Sequence, residues 1–228
     1  MMSATRTKKT KRRLVQWGQA LLALAMTFTA GPVPSSWAEI DTVAPSNQTK
    51  QPFSGSHFPE GVAVSPGGTK VYLANRGDGT VSVFAALIGA VANTTSVGTV
   101  SVGSDPEGVA VSPDGGKVYV ANFSDGTVSV IDTSTNPPTV SATISVGSNP
   151  EGVAVSPDGS KVFIANSGSN SVSVIQKNTV VATINVGQHP TGVVVSPDGT
   201  KVYVANANSS TVSIIEVVGG QCRISPCE

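Results

Sequence analysis

The sequence predicts an all-β fold assembled from small four-stranded sheets set side by side. Three observations carry that expectation: a motif that recurs four times, four short β-branched runs inside each recurrence, and a composition rich in turn residues and poor in charge. The motif is Pro106-Glu107-Gly108-Val109-Ala110-Val111-Ser112-Pro113-Asp114-Gly115, followed by Lys117-Val118-Tyr119-Val120-Ala121-Asn122. Other copies begin at Pro59, Pro150 and Pro190, so the motif prolines stand 47, 44 and 40 residues apart. Self-similarity at about 40 residues with four strands per unit marks the blade of a β-propeller.

Each unit reads the same way. An alternating run (Gly108 to Ser112) meets a Ser-Pro-Asp-Gly turn, and a second run follows (Lys117 to Ala121). A polar loop opens at Asn122. A third run (Thr127 to Ile131), a variable stretch and a fourth run (Ala142 to Gly147) complete the unit. Short β-branched runs between turn residues are antiparallel strands. In the turn, Pro presets φ, Asp tolerates the second position and Gly takes the positive φ that closes the hairpin. The copies are Pro66-Gly67-Gly68, Pro113-Asp114-Gly115, Pro157-Asp158-Gly159 and Pro197-Asp198-Gly199, and these aspartates read as turn formers. The many serines read as outward strand positions.

At 228 residues the chain holds one domain, or one domain with extras. Charged residues are 12% and aromatics 5%, so Val, Ile and Ala must build the core. The formal net charge of +0 hides an asymmetry. Residues after Ala38 hold eight basic against fourteen acidic side chains, a formal −6. A mildly acidic body excludes nucleic acid as a partner, because phosphate binding requires a basic face.

Residues 1–38 read as an export signal. Arg6, Lys8, Lys9, Lys11, Arg12 and Arg13 form a basic start, Ala20 to Ala30 a short apolar run, and Ser36-Trp37-Ala38 a cleavage site. The apolar run is shorter than the roughly 20 residues a membrane span needs. An uncleaved anchor is the competing reading. After cleavage no membrane span is expected, and the protein belongs to the periplasm or the cell surface.

Residues 39–58 form a lead-in, 59–218 the four repeats and 219–228 a tail. The fourth unit has no evident fourth strand of its own, so Glu39 to Val43, which alternates, is the candidate to complete it. The tail carries both cysteines, Cys222 and Cys227, and an exported protein allows an intrachain disulfide between them. A bridge between chains and two free thiols remain alternatives.

Lys117-Val118-Tyr119-Val120-Ala121-Asn122 and Lys201-Val202-Tyr203-Val204-Ala205-Asn206 resemble the YVTN-type β-propeller repeats of bacterial and archaeal surface and periplasmic proteins. Val71 to Asn75 and Val162 to Asn166 are looser copies, and the resemblance covers about residues 55–218. It implies a ring of about seven blades, whereas this chain has four units of about 40–47 residues. A closed four-blade ring, an open arc and half of a dimeric ring all follow from that mismatch. Small faces such as Val62, Ala63, Val64 and Ser65 suit a larger ring, and exposed blade edges invite self-association.

Propeller geometry places the loop before the first strand and the loop between the second and third strands on one face. That face holds Glu60, Asp105, Glu107, Asn149, Glu151 and His189, the candidate ligand-binding residues, beside His57, Phe58, Thr191, Arg76, Asp78, Phe123, Asp125, Asn170 and Asn208. Glu60, Glu107 and Glu151 ring the mouth of the axis, and such carboxylates suit Ca²⁺, which takes oxygen ligands. Solvated loop charges are the plainer reading. Otherwise no cofactor is expected. His57 and His189, just before the motif prolines, are the only histidines and the candidate bases. Arg76-Gly77-Asp78 reads as a turn rather than an adhesion signal. No Gly-x-Ser-x-Gly elbow and no phosphate-cradling glycine loop are present.

The function expected from these features is a non-enzymatic binding or scaffolding module at the cell envelope, with a protein or envelope component as ligand. The alternative is a hydrolase or lyase, lactonase-like, with a metal-assisted His/carboxylate site on the same face. A third is a piece of a longer propeller.

Overall fold

Among the described residues, four antiparallel sheets of four strands each stand in sequence along the chain. The computed structural model describes residues 58–85, 95–218 and 221–224. The first sheet holds β1 (Pro59–Val64), β2 (Lys70–Asn75), β3 (Thr80–Ala85) and β4 (Thr95–Ser101). The second holds β5 (Pro106–Val111), β6 (Lys117–Asn122), β7 (Thr127–Asp132) and β8 (Thr139–Ser145). The third holds β9 (Pro150–Val155), β10 (Val162–Asn166), β11 (Ser171–Gln176) and β12 (Thr179–Asn185). The fourth holds β13 (Pro190–Val195), β14 (Lys201–Asn206), β15 (Thr211–Val218) and β16 (Gln221–Ile224). Within each sheet every strand pairs with the next, and the first strands β1, β5, β9 and β13 lie beside one another from sheet to sheet. This is the meander and radial order of propeller blades.

The turns explain the first hairpin of each blade. Gly115 takes φ +72 and donates its N–H to Ser112 O at 2.8 Å. Asp114 Oδ1 accepts from Ser112 Oγ and from the Gly116 N–H, while Ser112 Oγ accepts from the Lys117 N–H at 2.9 Å. The last blade repeats the bonds of the turn aspartate through Ser196, Asp198 and Thr200.

The cores lie between blades, not within them. Tyr72, Val81 and Val83 of the first blade pack on Val118, Val120 and Ile131 of the second. Tyr119, Val128 and Val130 continue onto Val162, Ile164 and Ile175, and Phe163, Val172 and Val174 onto Val202, Val204 and Ile215. Strand β10 is therefore buried on both faces, whereas β14 alternates between exposed and buried. Burial of a Val, Leu or Ile side chain stabilises by about 1.5–3 kcal/mol, so these seams hold the array together.

The inner strands approach so closely that glycine is required. A Cβ on Gly108 would lie 2.0 Å from Glu151 O, and one on Gly61 1.9 Å from Glu107 O. At Gly192 the nearest atom of this kind is Ala205 Cβ at 3.7 Å, within its own blade.

Several expectations change. The fourth strand of the last blade is β16, paired with β15 through Val217↔Cys222 and Val218↔Gln221, and so comes from the tail rather than from Glu39 to Val43. Residues 39–43, the export segment 1–38, His57 and Cys227 lie outside the described residues, so the proposed disulfide does too. Asn122 is not a loop opener but the buried last residue of β6, and its Nδ2 donates to Thr127 Oγ1 at 2.9 Å and Ser129 Oγ at 3.0 Å. Ser82, Ser129 and Ser173, read as outward, are buried for that reason. The four blades do not close on themselves: among the described residues no apolar cluster joins the fourth to the first. Val, Ala and Ser faces are too slight to fill the wide wedges of a four-blade ring. Among these residues, no helix is long and apolar enough to cross a membrane.

Candidate functional site

The residue before each motif proline holds the left-handed region: Phe58 at φ 37, Asp105 at 50, Asn149 at 50 and His189 at 54. Asn, Asp and His tolerate this region better than most side chains, and such strain concentrates at working surfaces. The turn aims each of these carbonyls at the loop between the second and third strands. Asp105 O accepts from the Phe123 N–H at 2.9 Å, Asn149 O from Ser167 at 2.9 Å and His189 O from Ala207 at 2.9 Å. The two loop sets expected on one face therefore do share it.

Arg76 organises the first half of that face. It sits in a 3-10 turn, Arg76–Asp78, between β2 and β3. Its Nη1 lies 3.5 Å from Glu60 Oε1 and 3.4 Å from Glu107 Oε1, and its Nε lies 3.9 Å from Asp105 Oδ1. Its guanidinium also stands 5.7 Å from the Phe123 ring centroid, within cation–π range. One cation thus ties carboxylates from two blades.

The second half pairs His189 Nε2 with Glu151 Oε1 at 3.8 Å, again across a blade junction. The His189 N–H donates to Asn170 Oδ1 at 2.8 Å, and Asn149 Nδ2 reaches Phe123 O at 3.5 Å. Asp105 Oδ2 accepts from Ser124 Oγ.

Glu107 is the most shielded member of the Arg76 cluster, at 17% side-chain exposure against 48% for Glu60. Burial pushes its carboxyl above the usual range; Arg76 pulls it down, and Glu151, Glu60 and Asp105 push it up again. A carboxyl raised by desolvation beside a fixed cation is the electrostatic setting for proton transfer.

The residues do not fit the Ca²⁺ weighed against solvated loop charges for Glu60, Glu107 and Glu151. Among the described residues no group of three His, Cys, Asp or Glu side chains could hold an ion, and Arg76 bridges two of these carboxylates itself. Arg76 is the residue the sequence reading undervalued. Its signal was its solitude: the other copies place Phe123, Ser167 and Ala207 there, so it is the one cation among loops rich in carboxylates.

Fold and face together define a β-propeller with a polar, non-equivalent loop surface spanning several blades. The family model "Lactonase, 7-bladed beta-propeller" matches residues 35–137 and 131–228, and the chain belongs to that family. No curated protein matches its sequence. Among solved structures it is similar to Kuenenia stuttgartiensis hydrazine synthase at 27% identity and TM-score 0.66, covering 78% of this chain and 52% of that one. The Pseudomonas aeruginosa periplasmic gluconolactonase matches at 20% identity and TM-score 0.65, with 73% and 53% covered. A Bacteroides fragilis protein assigned as a 6-phosphogluconolactonase matches at 20% identity and TM-score 0.66, with 74% and 53% covered. The chain spans about half the length of these relatives, with four blades among the described residues where the family has seven. The expectation of a non-enzymatic scaffold is contradicted by this membership, which favours the lactonase-like alternative over it.

Proposed function

We propose that the protein is a lactonase-type hydrolase that opens cyclic sugar esters on the loop face around Arg76 and Glu107. The observation that carries this reading is the lactonase family match, which runs through all four blades. The site supports it chemically. Glu107, a carboxylate made more basic by burial, takes a proton from water in its ionised form, and the water oxygen bonds to the lactone carbonyl carbon. The ring C–O bond breaks, and the proton passes to the departing alkoxide. Arg76, a cation fixed by its carboxylate partners, stabilises the oxyanion. Asp105, Asn149, Glu151 and His189 bind the polar remainder of the sugar.

Hydrolysis of gluconolactone and of 6-phosphogluconolactone in a pH-stat tests this, with the spontaneous rate subtracted. Acceleration of either, with a loss of about 10²-fold or more in Glu107→Gln, is the expected result. Rates equal to buffer on both lactones overturn the assignment.

The repeat is read as YVTN-type and the protein as exported to the periplasm or cell surface. Fractionation of expressing cells checks this: a mature chain beginning at Glu39 outside the cytoplasm is expected, and a cytosolic chain retaining residues 1–38 contradicts it.

A further inference from the structure

Among the described residues the four-blade array carries an apolar face on each outer side, and we propose that these two matching faces meet in a second copy of this chain, two arcs closing head to tail into one eight-bladed ring. The trailing face of the fourth blade exposes Val194 at 61%, Val212 at 58% and Tyr203 at 37%. The same positions are covered in the blades before it: Tyr119 is 6% exposed, Phe163 1%, and Val128 and Val172 0%. At the other end, the leading face of the first blade exposes Val62 at 62% and Val64 at 55%. Their counterparts Val109 and Val111 pack against the blade before them.

The occupant is argued from the joints themselves. Three times within the chain a trailing face of this kind receives a leading face of this kind, so complementarity is already built. Two smaller features agree. Each later turn glycine faces the preceding blade's turn proline: a Cβ added at Gly115 would lie 3.6 Å from Pro66 Cδ, and one at Gly199 3.6 Å from Pro157 Cδ. Gly68 has nothing within 4 Å, and Pro197 has no following blade among the described residues. Likewise the bare Cα of Gly192 leaves the notch that Gly152 offers to Thr191 O, and the second copy's Glu60 carbonyl fits there. A heterologous contact gives a closed dimer only if two arcs complete one turn. Eight blades require about 45° each, close to the roughly 51° of a seven-bladed ring and within the range propellers adopt.

The full-length expressed protein is purified and weighed by light scattering at micromolar concentration. A mass of two chains is expected. Val212→Glu, on the trailing face, and Val62→Lys, on the leading face, each give a one-chain mass. Mixing the two restores the dimer, because one seam is then native and the other holds opposite charges. Circular dichroism melts show that each variant stays folded. A one-chain mass for the wild type overturns the proposal. If Val212→Glu also lowers its melting temperature, another part of the same chain covers the face. A mass that climbs beyond two chains with concentration overturns closure, and variants that keep the two-chain mass overturn the location. Lactone turnover is a separate readout, so either reading can fail without the other.

Discussion

The Arg76 guanidinium stands 3.4 Å from Glu107 Oε1, and the two residues belong to different blades. The ion pair therefore reports on a blade junction as well as on the loop face. Side-chain exposures of 39% and 17% place it at the edge of the solvent, where a pair contributes under about 1 kcal/mol to folding. Its weight falls on electrostatics instead.

Replacing Arg76 by Met removes the one influence that lowers the Glu107 carboxyl. Its ionisation then moves to higher pH. The acid limb of the lactone pH–rate profile is expected to shift the same way, with turnover down by about 10²-fold. An unchanged profile would detach Arg76 from the chemistry.

Glu107→Gln tests the stability side. A carboxyl raised in the folded state binds its proton more tightly there than in the unfolded chain. Its contribution thus favours folding at low pH and is lost as pH rises through the folded value. The variant should melt above wild type at pH 7, with the gap closing as pH falls below the ordinary carboxylate range. Lost turnover with gained stability is the signature of a group kept for function.

The turn aspartates behave oppositely. Ser156 and then Ser160 hold the Asp158 carboxyl down to about 2. That contribution is fully present above the ordinary aspartate range and disappears as pH falls through about 2. Asp158→Asn should therefore melt below wild type at pH 6 and together with it near pH 2. Thermal scans across that window decide it.

Gly108→Ala and Gly192→Ala form a matched pair. The first drives a methyl to 2.0 Å from Glu151 O and should destabilise by about 1–3 kcal/mol or more. The second meets only Ala205 Cβ at 3.7 Å within its chain, so with both changes compared in the one-chain Val212→Glu background its melt should barely move. Equal losses at both positions would contradict the packing of the inner strands.

Asn122→Ala removes a buried amide that serves Thr127, Ser129 and the Gly103 N–H. Stranding several buried polar groups should lower stability by about 2–4 kcal/mol. Denaturant unfolding would read it directly.

Strands and turns were legible because Val109 to Val111 and Lys117 to Asn122 alternate as half-buried strands must, and Pro113-Asp114-Gly115 announces its turn. Strand β16 was not, since Gln221-Cys222-Arg223-Ile224 has little β-branched character and forms through pairing with β15. The buried roles of Asn122 and Ser129 escaped for a related reason. Polar residues read as outward unless their mutual bonds are known. The carboxylates of the face were visible, but their gathering around Arg76 depends on how far one blade leans over the next, which no spacing records. The pre-proline residues Asp105, Asn149 and His189 carried a fair hint of the left-handed region, being types that enter it most readily.

The repeated joint, in which the turn glycine of one blade faces the turn proline of the blade before it, has an evolutionary consequence. Every joint presents the same donor and receiver surfaces, so a duplicated forty-residue segment inherits both halves of a working contact at birth. The array can lengthen or shorten by whole units through unequal recombination, with stability changing by one neighbour term each time. Circumference is then a heritable variable separate from the chemistry borne on the rim.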